Sequence, residues 1–328
     1  MKAIVTGGCG FIASHVVDRL VSHGHDVTVI DNMSTGFREN LKHHLDSKKI
    51  RLIEFDLSDL KKLEKAIDGA DAVFHLAANA DVRHGLEDNF RDIERNLITT
   101  YNVLEAMRKN DVRKILFSST AATYGEPDVF PTPETYHPRQ TSFYGASKIA
   151  CEGLIESFSE AYGMQAWMYR FVSIQGERHP HGVTYDFVRK LNANPKELEI
   201  LGDGTARKSY LYVEDCVDGF FAGFEKSGSK VNLFNLGHQE HIAVKNVADI
   251  ICDEMGLGNV RYTFTGGERG WIGDSPLVHL GSGRMRALGW YPKVSIEETV
   301  RRTVRWLVAN PYVYSRETMK SQQSGRAR

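Results

Sequence analysis

The chain has 328 residues, 41% hydrophobic and 25% charged, too long for one small core and suited to a large domain carrying a smaller one. Lysine and arginine total 41 against 42 acidic residues, a net charge of −1, so no overall basic field exists to hold a nucleic-acid backbone or an anionic membrane. Cys9, Cys151, Cys216 and Cys252 lie far apart without a CxxC pair, no charged leader opens the chain, and no apolar run approaches a membrane span. The expectation is a soluble cytoplasmic protein.

Short β-branched runs at 3–6, 27–30, 51–55, 72–75 and 114–118 alternate with segments of helical period at 12–22, 59–67 and 90–109. Such alternation predicts βαβ units and a parallel sheet buried on both faces. A sixth strand is expected at 165–171, after a long helix near 144–162. Beyond Ser173 glycine, proline and charge increase, Gly202-Asp203-Gly204 reads as a turn, and the clearest helices are 244–255 and 296–309. The predicted fold class is α/β, a Rossmann-like doubly wound parallel sheet with a smaller mixed α/β substrate domain. The expected boundaries are 1–172 for the first domain, which also takes in about 212–240, then 173–315 for the second, and a frayed tail over 316–328.

Thr6-Gly7-Gly8-Cys9-Gly10-Phe11-Ile12-Ala13 stands between the first strand and the first helix. Gly7, Gly10 and Ala13 fit a GxxGxxA spacing, in which glycines allow a tight turn and close approach of a pyrophosphate to a helix N-terminus. The next strand ends at Asp31, where a carboxylate can accept both adenosine ribose hydroxyls and would repel a 2′-phosphate, favouring NAD over NADP. The plainer alternative is a strand-end capping aspartate. Asp56-Leu57, after the third strand, is placed to meet adenine.

Tyr144-Gly145-Ala146-Ser147-Lys148 puts a phenol and an ammonium four residues apart, on one face of a helix. A phenol of pKa near 10 becomes a usable base when Lys⁺ and a positive nicotinamide ring favour its ionised form. It could then take a proton from a sugar hydroxyl as the same carbon is oxidised. The fifth strand ends Ser118-Ser119-Thr120, hydroxyls that could polarise the reacting oxygen or simply satisfy strand-end backbone. A lone YxxxK is more often a solvated helix face; its place after the fifth strand, beside the carboxyl ends, gives it weight.

From residue 4 to about 306 the sequence resembles the extended short-chain dehydrogenase/reductase family of nucleotide-sugar epimerases and dehydratases, most closely the UDP-glucose 4-epimerase branch. The matching motifs are TGGCGFIASH, DNMSTG, DL, HLAA, Asn96, SSTAATYG, YGASK and GDGTARKSYLYVED. The resemblance implies a catalytic hydroxyl at Thr120, four residues before Tyr124, a base at Tyr144, and Lys148 on the nicotinamide ribose. It implies an NAD groove lined by Phe11, Ile12, Asn32, Ser34, Thr35 and Gly36. Leu76, Ala77, Ala78, Asn96, Ser118 and Phe171 complete it. It implies NAD that stays bound while C4 is oxidised, the 4-keto sugar turns, and C4 is reduced on its other face. Substrate contacts would come from Val82, Arg83, Thr120, Ser173, Lys208, Tyr210, Arg269 and Asp274.

Dehydratases of this family resemble Thr-Asp-Glu at the catalytic hydroxyl, and decarboxylases carry a glutamate at the second following position. Here those positions are Ala121 and Ala122, which leaves oxidation and re-reduction. Cys9 and Ala13 replace the usual alanine and glycine with small residues. The family's substrate asparagine is Ser173, its diphosphate-gripping arginine is Lys208 with Ala206 for the glutamine before it, and two extra residues lie around Trp271 between Arg269 and Asp274. Lysine supplies the charge without a bidentate fork. These departures bear on the substrate rather than the cofactor. Arg83 either reaches the sugar or bridges Asp81 or Glu87 on the surface, and the bridge is the favoured reading. His179 and His181 lack partner carboxylates, so no metal is expected.

Two other readings compete: a dehydrogenase or reductase of nucleotide sugars that releases its product, and an NAD-binding sensor without chemistry. A sensor commonly loses the tyrosine or lysine, and both are present here. Homodimerisation is implied through the helices 90–109 and 144–162, whose apolar residues Ile93, Leu97, Val103, Leu104, Ile149, Leu154, Ile155 and Phe158 could equally face the sheet.

Overall fold

Strands apolar on both faces must be covered on both faces, and seven strands, the five inner ones of this kind, form one wholly parallel sheet. They are β1 (Lys2–Thr6), β2 (Asp26–Asp31), β3 (Ile50–Glu54), β4 (Ala72–His75), β5 (Lys114–Thr120), β6 (Gln165–Phe171) and, after four short strands, β11 (Val231–Leu236). The order is β11-β6-β5-β4-β1-β2-β3, so the chain winds outward one way from β1 and the other way from β4. Between those two strands the winding reverses, which opens a crevice at their carboxyl ends. The expected fold class is the one the chain adopts. These descriptions come from a computed structural model that describes residues 1–79, 88–267, 269–270 and 275–314.

Alternation along each strand sends neighbours to opposite faces. On one face Val5, Val29 and Phe74 pack against α1 (Phe11–Ser22) through Val16, Val17 and Leu20. On the other, Ile4, Val73, Ile115 and Phe117 meet α2 (Leu60–Ile67), α3 (Thr99–Lys109) and α4 (Phe143–Tyr162) through Leu63, Val103, Leu104, Met107, Cys151 and Ile155. Burying each such side chain contributes about 1.5–3 kcal/mol.

Capping fixes where these helices begin. The Asp59 carboxylate accepts the Lys62 N–H at 3.1 Å at the start of α2. The Ser142 hydroxyl accepts the Gly145 N–H at 3.1 Å and starts α4. Gly163, at φ +65°, ends it in the left-handed conformation.

A third apolar cluster unites α5 (Val183–Ala193), α7 (Val244–Glu254) and α8 (Ile296–Ala309). The small strands β7 (Ser173–Gln175) and β10 (Tyr210–Tyr212) pair with each other, β8 (Glu197–Ile200) pairs with β13 (Arg261–Phe264), and β9 (Arg207–Lys208) lies between β12 (Ile242–Ala243) and β14 (Leu277–Val278). The helix α6 (Val213–Lys226) returns the chain to the main sheet, packing Val217 and Phe220 on the α1 face before β11 forms.

One element differs from the sequence reading. The stretch 90–109 is not one α-helix: a π-helical turn over Ile93–Ile98 precedes α3. That wide turn carries Asn96, whose side chain faces inward to bond Asn79 and Ser147. Strand β5 ends at Thr120, as expected, with the β5–β6 register continuing to Thr120 opposite Phe171.

Candidate active site

The glycine loop meets the crevice between β1 and β4. Gly7 has φ +69°, and a Cβ on it would lie 2.8 Å from the backbone of Ala77 at the end of β4. Gly10 then starts α1 with no side chain capping its first N–H groups and no acidic residue in the first turn. An uncapped helix N-terminus behind a glycine turn is suited to an anion. Phe11 is buried and Ile12 half-buried beside it. A Cβ on Gly36 would come within 2.8 Å of Cys9, so the loop after β2 is folded tightly onto the glycine loop.

Asp31, 7% exposed at the end of β2, accepts the Cys9 N–H at 3.0 Å and the Met33 N–H at 2.8 Å. Asp31 thus does the capping work weighed in the sequence as its plainer role. A carboxylate has about four acceptor positions, so the two roles are compatible. Asn32, Ser34 and Thr35 form the exposed rim, where the Asn32 side-chain carbonyl accepts the Ser34 N–H at 3.0 Å. The Asn32 amide donates to Asp56 at 2.8 Å. Partial burial would raise the Asp56 pKa, but the Ser58 N–H, the Asn32 amide and the Arg95 guanidinium hold it down to about 2. Leu57 beside it is buried. Arg95 carried no signal in the sequence, because its partner is brought close only by packing of the π-helical turn beside β3.

At the centre Thr120 ends β5 and Tyr144 opens α4. The Thr120 hydroxyl accepts the Ala122 N–H at 3.1 Å and faces the Tyr144 phenol. Burial and the Asp92 carboxylate push the Tyr144 phenol above its ordinary value, and Thr120 acts against them. Lys148 is not among the groups that lower it, unlike the expectation from the spacing; buried itself, it is 2% exposed with Nζ 4.2 Å above the centroid of the Phe117 ring. Burial lowers the Lys148 pKa to about 8, with Cys151 and Glu152 opposing.

Around this pair, Asn79 donates its side-chain amide to Asp92 at 2.8 Å, and its backbone N–H to Asn96 at 2.8 Å. Asn96 donates to Ser147 at 2.8 Å. Ser118 is buried, its hydroxyl 3.4 Å from the carbonyl of His75. His75 joins the Thr6 hydroxyl at 2.7 Å to that of Thr100 at 3.0 Å, and burial together with Lys148 lowers its pKa to about 3. Leu76, Ala77 and Ala78 follow it, half-buried at the end of β4.

The expected substrate residues are spread more widely. Ser173 is exposed at the start of β7, two residues after Phe171, the residue expected in the NAD groove, which ends β6 with its ring centroid 6.0 Å from that of Phe220. Ser173 pairs in register with Tyr210, which is 3% exposed within the third apolar cluster. Lys208 donates to the Ser275 carbonyl. Arg269 pairs with Glu126, donating from Nη2 at 2.9 Å, so residues 143 apart in sequence meet. A small cleft between the turn after β5 and β14 is lined by Ala121, Tyr124, Thr132, Ser275, Val278 and His279. Val82, Arg83 and Asp274 lie outside the described residues, as does the tail beyond 314.

His179 is buried with its ring centroid 5.0 Å from that of Phe11. Among the described residues one group has metal-ligating spacing, Asp18 with His43 and His44. Arg178 lies 2.8 Å from the second oxygen of Asp18, supplying a counter-ion from the protein itself.

A doubly wound sheet, a glycine-opened helix at its switch point and a Tyr–Lys pair on the helix after β5 together define the extended short-chain dehydrogenase/reductase class. The chain belongs to the NAD dependent epimerase/dehydratase family, which it matches over residues 3–237. It is 31% identical over 315 residues to the UDP-glucose 4-epimerase of Mycolicibacterium smegmatis, covering 93% of this chain and 98% of that one. It superposes on the UDP-glucose 4-epimerase of Thermotoga maritima, solved with UDP-glucose, at a TM-score of 0.84 with 33% identity, covering 94% and 99% of the two chains. A dTDP-glucose 4,6-dehydratase of Streptomyces venezuelae, solved with NAD bound, gives a TM-score of 0.87 at 25% identity, covering 94% and 98%. Backbone shape therefore does not separate epimerase from dehydratase, and the side chains must.

Proposed function

We propose that the chain epimerises the sugar of a nucleoside diphosphate sugar at C4, through a transient 4-keto sugar, with UDP-hexoses as the substrate class. The observation that carries this reading is the pair Ala121 and Ala122 directly after Thr120. Removing water or carbon dioxide needs a further acid or base beside the reacting carbon, and a methyl group moves no proton. Likeness to UDP-glucose 4-epimerases supports the same conclusion.

The site fits NAD because Gly7 and Gly36 leave no room for a Cβ and α1 presents uncapped N–H groups. Those groups with Phe11 and Ile12 would hold the pyrophosphate, and Asp31 the ribose hydroxyls, where a 2′-phosphate would be repelled. Asn32, Asp56 and Leu57 would border adenine. Bound NAD supplies reversible redox chemistry and, when oxidised, a positive ring.

The chain's own residues move the proton. Thr120 accepts the Ala122 N–H and hydrogen-bonds the Tyr144 phenol, so its one hydroxyl hydrogen would turn to the sugar oxygen when substrate binds between them. Tyr144 takes the proton of that hydroxyl and later returns it. Lys148 would hold the nicotinamide ribose, and the Tyr144 phenol, which burial and Asp92 hold neutral in the protein alone, would be eased toward ionisation by the positive ring of bound NAD. Lys208 and Arg269 supply charge for the diphosphate.

Side chains along 90–101 and 143–162 include exposed Phe90, Ile93, Tyr101, Phe143 and Tyr162, whereas Val103, Leu104 and Ile155 face the sheet. This division supports a homodimer built on the outer faces. Four buried free cysteines fit a reducing, cytoplasmic setting, and no helix among the described residues is long and apolar enough to cross a membrane.

Purified protein, without added cofactor, incubated with UDP-, GDP-, CDP- and dTDP-hexoses and followed by NMR, tests the reading. Conversion of one sugar to its C4 epimer is expected; a dehydrated or net-oxidised product overturns it.

A further inference from the structure

Glu152 follows Lys148 by one helical turn as Lys148 follows Tyr144, so the three share one stripe of α4. The Glu152 side chain is 3% exposed and takes three donors. Its Oε1 accepts the Ser119 hydroxyl and Arg170 Nε at 2.9 Å, and Oε2 accepts Arg170 Nη2 at 2.5 Å. Ser119 precedes Thr120 on β5, and Arg170 lies on the neighbouring β6.

Stability alone does not account for this pair. Two charges removed from water are costly, and apolar residues of similar volume often serve as well. Arg170 moreover leaves Nη1 buried without a hydrogen bond, over the ring of Tyr124 with Cζ 4.7 Å from its centroid. A buried orphan donor is unfavourable. Position is what Glu152 does provide: it joins the catalytic helix through Ser119 to β5, which carries Thr120, and through Arg170 to the neighbouring β6.

We propose that Glu152 is a positioning residue, which through Ser119 and the Arg170 fork fixes the Tyr144–Lys148 stripe against Thr120. This rests on reading those three residues as the reacting centre. Its carboxylate also acts on Lys148, whose titratable neighbours are His75 on β4 and Cys151 and Glu152 on its own helix, with Arg170 behind Glu152. Removing the negative charge makes the ammonium easier to deprotonate.

The test uses full-length protein carrying lysine labelled with ¹³C at Cε, titrated by NMR, with the Lys148 signal assigned by its loss in Lys148→Met. In Glu152→Gln the Lys148 midpoint is expected to fall by about half a pH unit or more. With UDP-galactose as substrate, kcat is expected to fall about 10-fold or more while KM stays within about 2-fold. Ser119→Ala, which keeps the ion pair, is expected to lower kcat without moving the Lys148 midpoint, and Ser119→Thr to restore it. An unmoved midpoint in folded Glu152→Gln overturns the proposal, and so does wild-type kcat in Ser119→Ala should Glu152→Gln fail to fold. If wild-type protein turns over no UDP-sugar, the epimerase reading fails and the midpoint alone decides this one.

Discussion

Asp31 Oδ2 accepts the backbone N–H of Cys9 at 3.0 Å, which ties the end of the second strand to the glycine loop that opens the first helix. The residue read as the ribose acceptor therefore also shapes the pyrophosphate turn. Hydrogen bonds to a charged group contribute about 1.5–3 kcal/mol each. Asp31→Asn is expected to lower NAD affinity about 10- to 100-fold and also to reduce the melting temperature without NAD. Calorimetric titration and thermal melts check both; a variant that loses affinity but melts as wild type would leave Asp31 with only the ribose.

Gly7 makes a separate prediction. With φ +69° and backbone of Ala77 2.8 Å from any added Cβ, Gly7→Ala meets left-handed strain of about 1–2 kcal/mol and a collision with main chain. Neither neighbour can rotate away. Denaturant unfolding is expected to show a loss exceeding about 2 kcal/mol, whereas Gly24→Ala, also at positive φ but with nothing near its Cβ, is expected to show strain alone.

Acid sensitivity follows from His75. Its pKa in the folded protein, about 3, lies below the ordinary value of 6.5. The unfolded chain therefore binds this proton first, and stability falls as pH drops below about 6.5, levelling off near 3. At pH 5 the loss from this group is about 2 kcal/mol. Urea unfolding at pH 7.5 and pH 5 is expected to show a smaller difference in His75→Gln than in wild type. An equal difference would assign the acid sensitivity to other groups.

The apolar outer faces of the helices at 90–109 and 143–162 predict the oligomeric state. Tyr101, 46% exposed, packs edge-on to Phe158 with ring centroids 6.2 Å apart. Ile93→Asp with Tyr101→Asp is expected to convert a dimer to monomer in sedimentation velocity while leaving the far-UV spectrum unchanged. A wild-type monomer at micromolar concentration would contradict the assignment.

What the sequence disclosed depended on the range of the interaction. Gly7, Asp31, Tyr144 and Lys148 were legible because a strand–turn–helix join or one helical period fixes their spacing. Arg95 on Asp56, Glu126 on Arg269 and Glu152 on Arg170 were not, since each partner lies 18 to 143 residues away and only packing brings the two together. The π-helical turn at Ile93–Ile98 was equally hidden, because its apolar pattern reads as ordinary helix. The balance at Tyr144 also needed the structure: spacing suggested a phenol eased toward ionisation by Lys148, whereas burial and Asp92 hold it neutral.

The central claim is that Thr120, Tyr144 and Lys148 exchange the configuration of one sugar carbon with no net redox. Its most direct measurement is the ¹H NMR time course of UDP-galactose with wild-type protein and with Tyr144→Phe, neither given added NAD. Wild type is predicted to bring UDP-galactose and UDP-glucose to equilibrium, and the variant to do so about 10²- to 10⁴-fold more slowly. Equal rates in the two proteins, or accumulation of an oxidised sugar in step with reduced cofactor, would contradict the account.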